Sequence, residues 1–216
     1  ILTKVLTFAN VKGGSGKSTL CVNVAATLVK LGNSVAVVDA DPQKSTFDWI
    51  STTTDHLLSK VICCDISSAN EVKELGVDYV LIDTQGSLNK EMYQFLAFSS
   101  IVLVPCRVSR DDIIGQGWIQ IFLKKFQNGE HDIPILAVLT GVNKRSTIFF
   151  HVLQQLKNDG TSVAKSVISQ RVCFAETNVN KRSVVGYNKF AESEVYNLTR
   201  EILAFLNDGD KIGKKV

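Results

Sequence analysis

Short apolar runs alternate with amphipathic segments along this chain. Continuously apolar runs are typical of strands buried on both faces of a sheet, and they lie here at 5–9, 35–38, 61–64, 79–82, 101–104 and 135–139. Apolar residues recur at helical spacing in the segments 17–31, 45–51, 89–98, 112–127, 147–158 and 191–206. This alternation predicts an α/β fold, with a mostly parallel central sheet flanked by helices on both faces.

The length and composition of the chain suit one folded domain. With 216 residues, 45% of them hydrophobic, the chain can bury one substantial core. No repeat or linker interrupts it, so we expect a single domain over 1–216 with a polar tail over about 207–216. No uninterrupted apolar run reaches about 18 residues, and a strand begins at once, so we expect neither a membrane span nor a signal peptide. The five cysteines form no C-x-x-C pair, which favours small buried side chains over a metal site.

Charge is distributed unevenly along the chain. Residues 1–143 carry 12 Lys and Arg against 14 Asp and Glu, a net charge of −2. Residues 144–216 carry 12 against 7, a net charge of +5. A basic C-terminal third fits a polyanion such as DNA, and it fits an ordinary solvated surface as well.

A glycine-rich stretch, K-G-G-S-G-K-S-T at residues 12–19, separates the first predicted strand from the first predicted helix. Glycines let backbone N–H groups surround a phosphate, and the start of a helix adds partial positive charge. Lys17 would reach the terminal phosphates of a nucleotide, and the Ser18 hydroxyl would ligate Mg²⁺. The alternative, a glycine-rich turn with two solvated lysines, does not account for the flanking strand and helix.

Two further strands end in carboxylates. The strand at 35–38 is followed by Asp39-Ala40-Asp41-Pro42-Gln43, and the strand at 79–82 by Asp83. Ligands of parallel sheets bind beyond the carboxyl ends of the strands, where such groups suit Mg²⁺ and the attacking water. Asp-Pro-Gln is also typical of a helix N-cap with proline in the first turn, and both interpretations can hold together.

These motifs resemble those of one family of P-loop ATPases. The loop with its early lysine, Lys12, resembles the deviant Walker A motif of the ParA/Soj/MinD family. The D-x-D-P-Q segment resembles switch I of the partition ATPases, and the strand ending in Asp83 resembles Walker B. Gly86-Ser87 and Ile168-Ser169-Gln170-Arg171 are similar to segments of the small plasmid partition ATPases (ParA-like, ParF-like). Since few residues precede Lys12, the resemblance is to members without an N-terminal helix-turn-helix domain.

The resemblance implies a role for each residue of the site. Lys12 would reach the nucleotide of a second subunit, Asp41 would position or activate water, and these two with Lys17 would be catalytic. The metal residues would be Ser18, Asp39 and Asp83. The ATP-binding residues would be Lys12, Gly13, Gly14, Ser15, Gly16, Lys17, Ser18, Thr19 and Gly86.

Two segments depart from the family pattern. Of P-x-x-P-S-x-x-D, the chain keeps Ser109 and Asp112 but has Val108 in place of the second proline. The aspartate is equally consistent with a helix N-cap. Gly141 stands where relatives often carry arginine, so no base-contact residue is predicted.

As a function, the resemblance implies a cytoplasmic, nucleoid-associated bacterial ATPase. It would dimerise on Mg-ATP, bind DNA non-specifically and be switched off by slow hydrolysis that a centromere-binding, ParB-like protein stimulates. Candidate DNA contacts are Lys181, Arg182 and Lys189, with Lys144 and Arg145 less favoured. Two alternatives stay open: a MinD-like or cluster-positioning ATPase on a membrane or protein scaffold, and a non-hydrolysing nucleotide-binding assembly protein. The polar C-terminal end argues against a membrane anchor.

Overall fold

A computed structural model describes residues 3–65, 69–87, 90–108 and 133–212. Its strands are β1 (Lys4–Phe8), β2 (Val35–Ala40), β3 (Ile62–Cys64), β4 (Tyr79–Thr84), β5 (Ile101–Arg107) and β6 (Ile135–Thr140). Its α-helices are α1 (Lys17–Lys30), α2 (Ser45–Ser51), α3 (Lys90–Ala97), α4 (Thr147–Asn158), α5 (Val172–Val179) and α6 (Lys189–Ile212). Short 3₁₀ helices lie at Leu58–Lys60 and Ala69–Leu75.

The six described strands form one parallel sheet in the order β3-β2-β4-β1-β5-β6. Alternate residues of a strand point to opposite faces, and both faces are covered. Leu6 and Phe8 of β1 pack in the cluster with α1 and α6. Val5 packs with Phe95 of α3 on the opposite face. The predicted α/β fold with helices on both faces is confirmed.

A segment at residues 162–170 runs beside β6 and extends the sheet irregularly. The Ala137 N–H donates to the Ser162 carbonyl (2.9 Å), and the Ile168 N–H donates to the Leu139 carbonyl (2.9 Å). Two isolated parallel bridges, at Val163 and Ser169, accompany these bonds. The segment therefore brings Ile168 and its successors to the carboxyl end of β6.

Within the described residues, helix predictions agree with the structure except at two places. Helix α5 was not predicted, and α6 continues to Ile212, six residues past the predicted end at 206. The predicted helix at 112–127 lies outside the described residues. Within the described part of the chain, no helix is long and apolar enough to cross a membrane. All five cysteines are free, with Cys63 and Cys64 half-buried and the other three buried.

Candidate nucleotide and magnesium site

The phosphate loop is anchored at its start by Asn10. This side chain is buried; its Nδ2 donates to the Pro105 carbonyl (2.7 Å) and its Oδ1 accepts from the Lys12 N–H (3.1 Å). The loop is thereby tied to β5, the strand beside β1. Asn10 was not predicted as a site residue, and the only local signal was a polar residue directly after an apolar strand.

Two glycines give the loop its turn. Gly14 and Gly16 have φ values of 74° and 100°, in the left-handed region that favours glycine. Between them, the Ser15 carbonyl accepts a hydrogen bond from the Thr140 hydroxyl at the end of β6 (3.0 Å). Gly16 is the N-cap of α1 and offers no side-chain cap. The first N–H groups of α1 are therefore available to an anion.

Lys17 lies within the loop that precedes it. Its side chain is only 7% exposed, and its Nζ donates to the Lys12 carbonyl (3.3 Å). A buried ammonium beside helix N–H groups concentrates positive charge at one point. The arrangement suits the phosphates of a nucleotide, as the sequence predicted for Lys17.

Asp39 and Asp83 lie side by side at the ends of β2 and β4. They are register partners in the sheet, and both are fully buried. The Thr46 hydroxyl donates to Asp83 Oδ2 (2.6 Å), whereas Asp83 Oδ1 has no hydrogen-bond partner among the described residues. Burial raises the pKa of the Asp83 carboxyl to about 6, although the hydroxyls of Ser18 and Thr46 act in the opposite direction. The carboxylate form that a metal requires therefore prevails above that pH.

The residues present fit a magnesium ion. A buried carboxylate oxygen without a partner and the Ser18 hydroxyl beside the same carboxyl are hard oxygen ligands. No group of three or more His, Cys, Asp or Glu that could hold a metal occurs in the described ranges. Mg²⁺ usually keeps waters and substrate phosphates in its shell, so a partial protein ligand set is what it needs.

The turn that carries Asp41 is held by local hydrogen bonds. Asp39 Oδ1 accepts from the Asp41 N–H (3.0 Å), and Asp41 Oδ1 accepts from the Gln43 N–H (2.9 Å). Lys44, at φ 52°, is the N-cap of α2; its Nζ donates to the Asp39 carbonyl (2.8 Å) and forms an ion pair with Asp65. The N-cap alternative for Asp41 is therefore wrong, because Lys44 is the N-cap of α2. The Asp41 side chain instead forms an Asx turn with the Gln43 N–H, before the helix begins.

Gly86 lies directly against the phosphate loop. A Cβ at this position would lie 3.1 Å from the Gly13 nitrogen and 3.3 Å from the Lys12 carbonyl carbon. A side chain at this position would require the turn or the loop to shift by a few tenths of an ångström. The turn after β4 therefore packs directly against the phosphate loop.

Gly86→Ala should weaken nucleotide binding. The new methyl group would push the turn and the loop apart, and overpacking costs about 1–3 kcal/mol, part of which would appear as lost affinity. Calorimetric titration with ATP measures the effect. Gly76→Ala is a control for loss of a glycine at the opposite end of β4: its φ of 62° makes the change cost stability through backbone strain, but nothing lies within 4 Å of a Cβ there, so ATP affinity should not change. Unchanged affinity in Gly86→Ala would contradict the close packing.

A cavity of about 410 Å³ opens beside the loop. It is lined by the loop, by the ends of β5 and β6, and by the 168–179 segment, including Arg107, Thr140, Arg171, Phe174 and Asn178. Its size falls in the range of small-ligand pockets. A base and ribose attached to phosphates on the loop would lie in this cavity.

Glu194 of α6 holds the far wall of this cavity. It accepts from the Ser169 N–H (3.0 Å), from the Ser169 hydroxyl (2.7 Å) and from Arg171 Nη2 (2.9 Å). Against the raising effect of burial, these hydrogen bonds lower the pKa of Glu194. The sequence did not indicate this role, because Glu194 lies in an ordinary helical pattern.

Of the predicted DNA residues, Lys181 and Arg182 lie on the connection between α5 and α6, and Lys189 is the first residue of α6. Lys181 Nζ pairs with Asp48 Oδ2 (2.6 Å). The Arg182 guanidinium lies 4.8 Å from the centre of the Tyr187 ring, and Lys189 Nζ lies 5.2 Å from that of Phe190. Lys144 and Arg145 are exposed on the loop after β6. Ser109 and Asp112 fall outside the described residues.

Comparison with solved structures supports the fold. A crystal structure from Borrelia burgdorferi B31, described as a plasmid partition protein bound to AMPPNP, superposes with a TM-score of 0.76. The identity is 20%, and the match covers 94% of this chain and 99% of that one.

Sequence relatives point to the same family. VirC1 of Rhizobium rhizogenes is 31% identical over 125 residues, 51% of this chain and 52% of VirC1, so the match spans about half the length of that protein. ParA of Rhizobium radiobacter is 24% identical over 178 residues, 79% of this chain and 80% of ParA. The family model described as the CobQ/CobB/MinD/ParA nucleotide binding domain matches residues 6–213. This protein therefore belongs to the CobQ/CobB/MinD/ParA family of nucleotide-binding domains.

Proposed function

We propose that this protein is a Mg-ATP-dependent partition ATPase that dimerises on ATP and binds DNA non-specifically. Hydrolysis returns it to a state that releases DNA. The observation that carries the proposal is the junction of three elements at the phosphate loop: buried Lys17, the Gly86 turn, and the strand-end pair Asp39 and Asp83. A site that only bound nucleotide would not need a further carboxylate, that of Asp41, in the turn beside Asp39 and Asp83.

Each residue of the site has a distinct task in this proposal. The N–H groups of residues 13–19 and the Lys17 ammonium bind the phosphates, and the cavity beside Thr140 receives the base and ribose. Ser18 and Asp83 would hold Mg²⁺ and Asp39 would support its water shell; bound there, Mg²⁺ would supply positive charge against the phosphates. Asp41 orients the attacking water and accepts its proton. Gly86 offers its N–H to the terminal phosphate, so the turn after β4 responds to hydrolysis.

Dimerisation links this site to DNA. Lys12 would contact the phosphates of a second copy, so that ATP joins two subunits and their two basic surfaces. Affinity for DNA rises steeply with the number of phosphates contacted, so a dimer would bind far more tightly than a monomer. Loss of the terminal phosphate would release the switch turns and separate the subunits. A centromere-binding protein would stimulate this step.

The test is binding to non-specific duplex DNA with ATP, with ADP and without nucleotide, across a salt series. Tight, salt-sensitive binding with ATP alone supports the proposal. Equal binding in all three states, or none, would contradict it and would favour a positioning ATPase on a membrane or protein scaffold. ATP binding without turnover would favour a nucleotide-binding assembly protein.

Reversing the charges of Lys181 and Arg182 to glutamate should weaken ATP-dependent DNA binding. Each lost phosphate contact should reduce the slope of log affinity against log salt by about one. Asp48→Asn should act in the opposite direction, because it frees Lys181 from its ion pair. Lys157→Glu, at an exposed position of α4, is the control for one charge reversal elsewhere on the surface. An unchanged slope in the double variant would remove both residues from the DNA surface.

A further inference from the structure

The first turn of α2 contacts both strand-end aspartates. The Thr46 hydroxyl donates to Asp83 Oδ2 (2.6 Å), and the N–H of the next residue, Phe47, donates to Asp39 Oδ2 (2.8 Å). Thr46 and both aspartates are fully buried. A single helical turn therefore fixes two carboxylates that lie on adjacent strands.

The hydrogen bond from Thr46 determines which oxygen of Asp83 remains available to a ligand. With Oδ2 engaged, Oδ1 is the buried oxygen that lacks a partner within the described part of the chain. The Ser18 hydroxyl also interacts with this carboxyl, which therefore lies between the first turns of α1 and α2. Among the described residues of α2, it is the Thr46 hydroxyl that hydrogen-bonds to this carboxyl, so its loss would weaken the restraint on the carboxyl's rotation.

The same turn is connected to Asp41. Lys44, which begins α2, donates its N–H to the Asp41 carbonyl (2.9 Å) and its Nζ to the Asp39 carbonyl (2.8 Å). Asp41 in turn donates its N–H to Asp39 Oδ1 (3.0 Å). The backbone from Asp41 to Phe47 is thus bound at both ends to the Asp39 carboxylate, and Thr46 within this segment binds Asp83.

We propose that Thr46 is a positioning residue, which aims Asp83 at the magnesium ion and couples α2, with the Asp41 turn, to metal binding. The inference rests on the proposed Mg-ATP function and assigns a role to a residue that the sequence motifs did not include. Partners that orient the ligands of a metal typically change metal affinity about 10–100-fold when removed.

The experiment measures how much Mg²⁺ strengthens binding of a non-hydrolysable ATP analogue, by calorimetry with excess Mg²⁺ and with EDTA. Thr46→Val removes the hydroxyl and keeps the side-chain shape. We expect it to reduce the gain from Mg²⁺ about tenfold or more, while affinity in EDTA stays within about twofold. Thr46→Ser should restore the gain. Thr27→Val is the matched control, since Thr27 is equally buried and its hydroxyl donates to the Asn23 carbonyl inside α1.

Each outcome decides the inference. An unchanged gain from Mg²⁺ in Thr46→Val overturns it, and so does an equal loss with Mg²⁺ and with EDTA, which would mean a purely structural role. Thr46→Ala replaces the valine variant if that variant fails to fold. A wild-type protein that binds the analogue with no gain from Mg²⁺ would overturn the proposed Mg-ATP function as well, and the wild-type titration alone reveals that case.

Discussion

Replacing Lys17 with alanine should abolish measurable nucleotide binding. Its ammonium is the buried cation at the centre of the phosphate loop. Hydrogen bonds to charged groups contribute about 1.5–3 kcal/mol each. Loss of two such bonds to phosphate would therefore lower affinity by about 100-fold or more. Titration of the variant with ATP, with and without Mg²⁺, measures the loss.

The control for Lys17→Ala lies in the same helix. Lys30, at the other end of α1, forms a surface ion pair with Glu192, so Lys30→Ala should bind ATP normally. The fold of Lys17→Ala should survive, because the variant loses the bond to the Lys12 carbonyl but also the cost of burying a charge. Thermal denaturation without nucleotide tests this. Near-normal ATP affinity in a folded Lys17→Ala protein would show that the phosphates do not bind at this loop.

Replacing Asp41 with alanine should leave ATP binding nearly intact and slow ATP turnover by about 100-fold or more, since a positioned general base contributes about 10²–10⁴-fold. The variant should also accumulate as an ATP-bound dimer on DNA, because in the proposed function hydrolysis is the step that separates the subunits. Phosphate release under steady-state conditions and size-exclusion chromatography with ATP measure the two effects.

Asp41→Asn tests the charge of Asp41 separately from the hydrogen bond that its side chain accepts in the turn. Asp41→Asn keeps the oxygen that accepts from the Gln43 N–H, and so keeps the Asx turn, but it cannot take a proton from water. If both variants lose turnover equally, the carboxylate is required for chemistry. If Asp41→Asn turns over normally while Asp41→Ala does not, the side chain only shapes the turn and another group handles the water.

Much of the fold was predictable because its pattern is local. Continuous apolar runs indicate strands of a parallel sheet, and the carboxyl ends of such strands converge on one edge. Asp39 and Asp83 could therefore be placed together from the sequence alone, although they are 44 positions apart in the sequence. The glycine-rich loop was recognisable for the same reason, since strand, turn and helix follow one another directly.

The unpredicted parts depend on contacts between distant segments. Asn10 matters because it meets the Pro105 carbonyl, and Thr46 because it meets Asp83. Both contacts join residues that lie far apart in the sequence, so neither contact could be predicted from the local sequence. Glu194 is another such case, since its role appears only when α6 packs beside the 162–170 segment. Helix α5 escaped prediction because its exposed valines, Val172 and Val179, obscure an amphipathic pattern.

The wall that Glu194 holds has a consequence for synthesis of the chain. The phosphate loop lies within the first 20 residues, whereas the cavity wall at Ser169 and Arg171 is held by a helix that begins at Lys189. Domains generally fold as units rather than segment by segment. In a chain under synthesis, the phosphate loop therefore leaves the ribosome long before the helix that holds the cavity wall. A nucleotide that needs both the loop and this wall would accordingly stabilise only the finished domain.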